Sequence, residues 1–447
     1  MEATSSTSGY RQELDRRLGL GHLMVFGLIF MVPIAPMSVY GFVAKQSYGM
    51  VPLVYLVGIV AMLFTALSYR QLSREFPIAG SVYSYVQRGL HPYLGFVAGW
   101  MILADYLLVP SLIYAFSASW LQGLLPDLPS WTWIAGFIVV NSAINILGIR
   151  FQARANILLL VIELIVLTLF LALALQFVFI DGHGVGGWSM APFYQPPHFN
   201  WSFIATATSI AALSFLGFDA ISTLAEEAYE PCRTIGNATV LALVLLGAIF
   251  VLQTYVAALA HPDYTTLDTK LGFFQIGRQV GGAWLYVLLI LVNVISAGVA
   301  NALAAQSAIS RLLYSMGRDR ALPGGRFLAH IQPRFKTPVN AIALVAALSF
   351  VLAVWVPEET ILKLVNFGAL TAFMLLNLTV FVFFYIKRRN RKSIFRYLLF
   401  PLLGLVIVAF VWSGFDRVTF EFGSTWLAIG LVLGITRYKR FKSFESL

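Results

Sequence analysis

The stretch "SFLGFDAISTLAEEAYEP" (residues 214–231) interrupts one of the most apolar parts of the chain. Its centre, Ser214 to Gly217, is flexible. Asp219 follows, and then the adjacent pair Glu226 and Glu227. Backbone that leaves the helix at membrane depth survives only where it lines a cavity inside the protein. The stretch therefore predicts a membrane helix that unwinds at Gly217 and presents the Asp219 carboxylate to a cavity.

The rest of the chain supplies the membrane. Of 447 residues, 59% are hydrophobic and only 11% are charged, against about 25% charged in soluble domains. The mean hydropathy is +0.81. Apolar runs of about 20 residues mark spanning helices. Twelve are expected, at 21–44, 50–69, 93–120, 131–148, 155–179, 201–225, 237–260, 283–312, 338–356, 361–386, 397–413 and 424–437. This predicts an all-α polytopic membrane protein with no soluble insert long enough to be a second domain. The run after the polar opening "MEATSSTSGYRQELDRR" is too long for a signal-peptide core and reads as the first span. The single cysteine, Cys232, excludes an internal disulfide.

The charge pattern predicts the topology. Twelve spans place both termini on one side, and the segments on that side carry 25 of the 30 lysines and arginines. By the positive-inside rule the termini are expected in the cytoplasm of a multi-pass plasma-membrane protein. The net charge of +10 then follows from topology and does not point to nucleic acid. His183 and His198 share one loop, where two histidines 15 residues apart are weak evidence for a metal and read as solvated or packed loop residues. Neither metal nor cofactor is expected, and no GxSxG or HExxH motif suggests an enzyme.

A second interruption lies in the first span, "GHLMVFGLIFMVPIAPMSVYG" (21–41), where Pro33 and Pro36 fall at mid-membrane. Proline removes a backbone donor and clashes with the preceding turn. Spans one and six begin two five-helix halves, and breaks at matching positions point to an inverted-repeat transporter with a site at the midplane. Five is odd, so the halves must be inverted. The expected organisation is a cytoplasmic segment 1–20, a ten-helix core 21–386 (repeats 21–180 and 201–386), two further helices at 387–437 and a tail at 438–447.

Three motifs carry a family resemblance: "FPIAGSVYSYVQRGL" (76–90), "SFLGFDAISTLAEEAYEP" (214–231) and "ISRLLYSMGRDRALP" (309–323). With them the chain resembles the amino acid–polyamine–organocation superfamily over its whole length. With "LADYLLVP" (103–110) and "NFGAL" (366–370) it is similar, within that superfamily, to bacterial putrescine importers. The resemblance implies a five-plus-five inverted-repeat fold and a substrate site between helices 1, 3, 6, 8 and 10. It also implies coupling to protons or to the membrane potential.

Three acids lie within spans: Asp105, Glu163 and Asp219. Such charges cost about 2.5–3.5 kcal/mol each on insertion scales and default to functional hypotheses. Asp105, with Tyr106 beside it, falls near the middle of the third span, as an ammonium ligand, as a carboxyl bonded to a neighbouring helix, or as a carboxyl kept protonated by burial. Where many relatives carry glutamate after the helix-6 break, this chain has Asp219, so the resemblance implies a substrate-contacting or proton-handling acid, with an inner-gate role as the rival. Where many members carry a lysine in helix 5, this chain has Glu163, a departure that puts lysine-based coupling in doubt: the readings are a protonatable acid in its place, a direct cation ligand, or an acid turned toward a neighbouring helix.

Helix 1 departs too. "FMVPIAPMS" (30–38) lacks the glycine pair whose amides hold a substrate carboxylate, and its prolines delete donors. Together with the acids, this favours a diamine over an α-amino acid. Pro33, Phe215, Gly217, Phe218 and Tyr114 complete the expected substrate site, since alkylammonium groups sit well over aromatic faces. Tyr40, Asn293, Ser296 and Asn366 are further candidates. Glu226 and Glu227 are expected at a solvated inner gate. The sequence thus predicts import of a small organic cation, putrescine or a related polyamine, with a proton as possible coupling partner. An amino-acid permease is the alternative.

Overall fold

The structure, a computed structural model, describes residues 18–77, 81–147, 152–225, 227–318, 325–332 and 337–441. Its regular elements are helices. The first part comprises α1 (Leu20–Met31), α2 (Ala35–Gln46), α3 (Val51–Glu75), α4 (Ser81–Gly89), α5 (Pro92–Gln122), α6 (Ser130–Leu147) and α7 (Gln152–Leu175). Then come α8 (Trp201–Ala211), α9 (Pro231–Ala260), α10 (Gly272–Gly281), α11 (Ala283–Asn293) and α12 (Ala302–Arg318). The chain continues through α13 (Gly325–Leu328), α14 (Val339–Trp355), α15 (Glu358–Val380), α16 (Phe400–Trp412) and α17 (Arg417–Phe441). A π-helical stretch, Val294–Asn301, joins α11 to α12 as one span.

Among the described residues, ten helical segments are long and apolar enough to cross a bilayer. α1 and α2, bent by 46° at their junction, make an eleventh as one broken span. α14 is apolar but shorter, at 17 residues. All twelve apolar runs of the sequence are therefore helical.

Packing relates each of the first four spans to the one five places later. α1 lies against the segment Phe218–Leu224 and α2 against α8. α3 packs on α9, α5 on the stretch from Val294 through α12, and α6 on α14. The last two spans wrap this core: α16 lies on α3 and α15, and α17 on α5 and α15. Trp100 and Trp426 stack at 4.5 Å. Each indole N–H donates to the other's backbone carbonyl, at 2.8 and 3.1 Å, which fixes α17 to α5.

Both breaks are real departures from the α-helix. In the first, Pro33 cannot donate to the Ile29 carbonyl, nor Pro36 to Val32. Val32 takes φ 53°, and its carbonyl accepts from Ala35 N–H at 2.9 Å. Pro36, in the first turn of α2, gives up a donor that would be unused there anyway. In the second, α8 tightens into a 3₁₀ segment, Ala212–Phe215. Leu216 is extended, and Gly217 adopts φ 106° before a second 3₁₀ segment, Phe218–Leu224. Such mid-span 3₁₀ stretches mark hinges.

Amide side chains from other spans satisfy carbonyls near each break. Gln253 of α9 donates from Nε2 to the Pro33 carbonyl at 2.9 Å. Asn366 of α15 donates to the Ser209 and Ile210 carbonyls at 2.7 and 3.2 Å. Hydroxyls do the same locally, Ser222 to the Asp219 carbonyl and Thr223 to Ala220, both at 2.6 Å.

Candidate functional site

The two breaks enclose one cavity, with about 160 Å³ open to a water-sized occupant. From the first break come Phe30, Met31, Val32, Ala35 and Ser38. The second contributes Ser214, Leu216, Gly217, Asp219 and Ala220. α5 contributes Asp105, Tyr106, Phe116 and Trp120, and the span containing α12 adds Asn301 and several alanines. The wall carries two carboxyl groups and neither a lysine nor an arginine.

Asp219 sits where the broken backbone re-enters a helix. In the first turn of the 3₁₀ segment Phe218–Leu224, its carboxylate accepts from Ser81 Oγ at 3.2 Å. The amide-rich end of this break, which elsewhere suits an anionic ligand, is thus occupied by the protein's own acid. Ser81 in turn lies 3.5 Å from the Tyr69 hydroxyl. Asp105 is half-buried and makes no hydrogen bond or ion pair among the described residues. An unpartnered carboxyl group on a cavity wall is a candidate ligand for a cation.

Glu163 occupies a smaller adjoining pocket of about 30 Å³. Ile29, Phe30 and Val32 of the first break line it, with Asn156, Ser296 and Asn301. Ser296 Oγ donates to Glu163 Oε1. Phe30, Val32, Asn301 and Ala304 border both spaces. The acid is therefore placed beside the first break, one wall away from the main cavity.

Four expected contributors do not line the cavity. Phe215 turns the other way, into a cluster with Tyr55 and Phe250 at 5.8 and 5.4 Å between centroids. Phe218 packs between Tyr69 and Phe373. The buried Tyr114 hydroxyl accepts from Asn141 at 3.2 Å, where α5 meets α6. Pro33 shapes the break, and its carbonyl is taken by Gln253. For the three aromatic residues the physical reason is the same: a 15% aromatic chain has more rings than one small cavity can hold, and helix packing claims most of them.

Of the further candidates, Tyr40 packs edge-on to Phe273 at 5.5 Å. The Asn293 side chain is spent on the Leu289 carbonyl at 2.9 Å. Glu226 lies outside the described residues. Glu227 takes part through its backbone: its carbonyl accepts from Leu18 N–H at 3.0 Å, and Tyr229 N–H donates to Leu18 at 2.9 Å. The segments before the first break and after the second are thereby joined. Sequence reading missed Ser81, which gives no local signal, and Gln253, whose amide in mid-span did give one. No group of three or more potential metal ligands occurs among the described residues.

The family model for amino acid permeases matches residues 22–432. The chain belongs to this family, within the amino acid–polyamine–organocation superfamily. It is 33% identical to the low-affinity putrescine importer PlaP of Escherichia coli strain K12, over 98% of this chain and 97% of that protein. It is 26% identical to the branched-chain amino acid permease BcaP of Bacillus subtilis strain 168, over 96% and 94%. The methylthioribose transporter of the same organism is 25% identical over 96% and 95%. This permease is a multi-pass membrane transporter, not an enzyme.

Proposed function

We propose that this permease imports a small organic cation, putrescine or a related polyamine, across the bacterial inner membrane with both termini in the cytoplasm. The observation that carries this reading is the pair Asp105 and Asp219 on one cavity whose wall has no cationic side chain. The first break adds to it: Pro33 and Pro36 have no N–H, and the amides of Ala35 and Met37 are already bonded to Val32 and Ile34. Little remains there to hold a substrate carboxylate. The likeness to a protein named as a putrescine importer supports the same substrate class.

Import of a cation is favoured by an inside-negative potential, at about 2.3 kcal/mol per charge per 100 mV. A dication gains roughly twice that. In this reading Asp105 and Asp219 bind the ammonium groups, and Tyr106 supplies an aromatic wall. The two broken spans move against the remaining helices, exposing the site to each side in turn. Glu163 beside the first break is the group that would take up a coupling proton. Glu227, in the turn that follows Leu224, is the candidate for a solvated inner gate.

The second reading is a permease for apolar amino acids, favoured by the two named branched-chain relatives at 26% and 28% identity. Uptake of labelled putrescine into liposomes under an imposed potential, with cadaverine, spermidine, arginine, alanine and leucine as competitors, separates the two. Saturable, potential-driven uptake blocked by diamines and not by leucine is expected. Leucine transport without putrescine transport overturns the proposal.

A further inference from the structure

Ser119, Lys270 and Glu358 are far apart in sequence and meet in space. They come from the last turn of α5, the segment just before α10, and the first turn of α15. Glu358 Oε1 accepts from Ser119 Oγ at 2.5 Å and from Lys270 Nζ at 3.0 Å. Lys270 Nζ is also 3.3 Å from Ser119 Oγ. The ends are unequal: the Glu358 side chain is 10% exposed and that of Lys270 is 45% exposed. Glu358 Oε2 is buried and has no hydrogen-bond partner among the described residues.

That arrangement is odd for a purely structural ion pair. A buried carboxylate oxygen without a donor is costly, and Oε2 is left in that state here. The position is also telling. Ser119 adjoins Trp120, a cavity-lining residue, and Trp120 meets Phe274 of α10 edge-on at 5.7 Å. Fifteen residues of α5 separate Trp120 from Asp105, about 22 Å at helical rise. Glu358 therefore stands beside the end of α5 that the charge pattern assigns to the exterior, where its partner Ser119 is one residue along the helix from the cavity-lining Trp120. What it holds there is a primary alkylammonium on a mobile arm, the chemical group that ends a diamine.

We propose that Glu358 is an outer docking site for the substrate's ammonium group, occupied by Lys270 when no substrate is present. The inference rests on the organic-cation reading given above. An arriving ammonium exchanges with that of Lys270, so the carboxylate never goes without a counter-charge. The unpartnered Oε2 accepts a second N–H from the newcomer. Released, Lys270 no longer ties the segment before α10 to α5 and α15, and the Phe274–Trp120 contact at the cavity wall is freed to part.

Reconstituted full-length protein tests this by the concentration dependence of putrescine uptake at fixed potential. Glu358→Gln removes the acceptor charge and is expected to raise the apparent KM about tenfold, the scale of one charge-assisted hydrogen bond. Lys270→Met removes the tethered competitor and is expected to lower it severalfold. In the double variant the benefit of Lys270→Met should vanish, because the competitor acts only through Glu358. A structural latch predicts the same direction for both single variants, and through-space charge effects predict additivity; either result overturns the proposal. Should Glu358→Gln fail to fold, Lys270→Met alone decides: an unchanged or raised KM overturns it. Wild-type protein that takes up no amine would sink the cation reading and this site together. A wild type that transports putrescine with unaltered KM in Glu358→Gln would sink only this site.

Discussion

Gly217 lies against the backbone carbonyl of Phe30, so the two broken spans touch at their breaks. A Cβ on Gly217 would fall 3.0 Å from the Phe30 oxygen and 3.2 Å from the Phe30 Cβ. Gly217 also holds φ 106°, which L-residues with side chains adopt only at a cost of about 1–2 kcal/mol. The Gly217→Ala variant is expected to melt at lower temperature in detergent. It should also lose at least tenfold in uptake, because the second break cannot keep both its conformation and its contact. A variant with wild-type melting and uptake would refute the claim that this contact sets the geometry of the cavity.

Asp105 separates function from stability. Its carboxyl faces the cavity without a partner among the described residues, so the fold gains nothing from its charge. Asp105→Asn is expected to melt at or above the wild-type temperature while diamine uptake falls by about ten- to a hundredfold, the value of a charge-assisted bond. Asp219→Asn should lose a comparable amount of uptake but also some stability, since Ser81 Oγ donates to that carboxylate. Initial rates at fixed potential and melting curves on the same preparations check both. Equal rates for all three proteins would remove the two acids from the substrate path.

Much of this was legible in the sequence, for identifiable reasons. Length and apolarity locate membrane helices, because the bilayer imposes both. Proline and glycine announce breaks, because they change the backbone itself. Acids in spans stand out because their cost demands a purpose, and Asp105, Asp219 and Glu163 all border internal spaces. Aromatic rings were not legible. Phe215 and Phe218 bracket Gly217 in sequence, yet a 3₁₀ stretch and a left-handed glycine rotate both away from the cavity. Side-chain direction around an irregular backbone does not follow the helical period on which sequence reading depends. Long-range polar partners such as Ser81 with Asp219 are equally invisible, being set by which helices meet.

The props at the breaks make a third test. Gln253 is fully buried, and its amide is the donor to the Pro33 carbonyl. Gln253→Leu keeps the volume and strands that oxygen, which costs about 1–3 kcal/mol. A lowered melting temperature is expected, together with reduced uptake. Asn366→Leu should behave alike through the Ser209 and Ile210 carbonyls. If Gln253→Leu is as stable as wild type, the first break is held by packing alone.

The junction before α17 carries a pH signature. Asp416 Oδ2 accepts from Lys363 Nζ at 2.6 Å, while Oδ1 accepts from Thr419 N–H and Oγ1 at 2.9 and 2.7 Å. Partial burial pushes the Asp416 carboxyl up, but the bonds from Lys363 and Thr419 outweigh it and hold the group below its ordinary value. A carboxyl whose folded-state value is depressed adds stability above its unfolded value of about 3.9 and loses that contribution as pH falls through the folded value. The side chain is 46% exposed, so solvent screening limits the contribution to about 0.5–1 kcal/mol. Asp416→Asn preserves an oxygen for Thr419 and removes only the charge. Its deficit against wild type should therefore be constant from pH 7 to pH 5 and shrink below about pH 4. A deficit that already narrows between pH 7 and pH 6 would show that a different group titrates there, and that the Lys363–Asp416 pair does not anchor the last span.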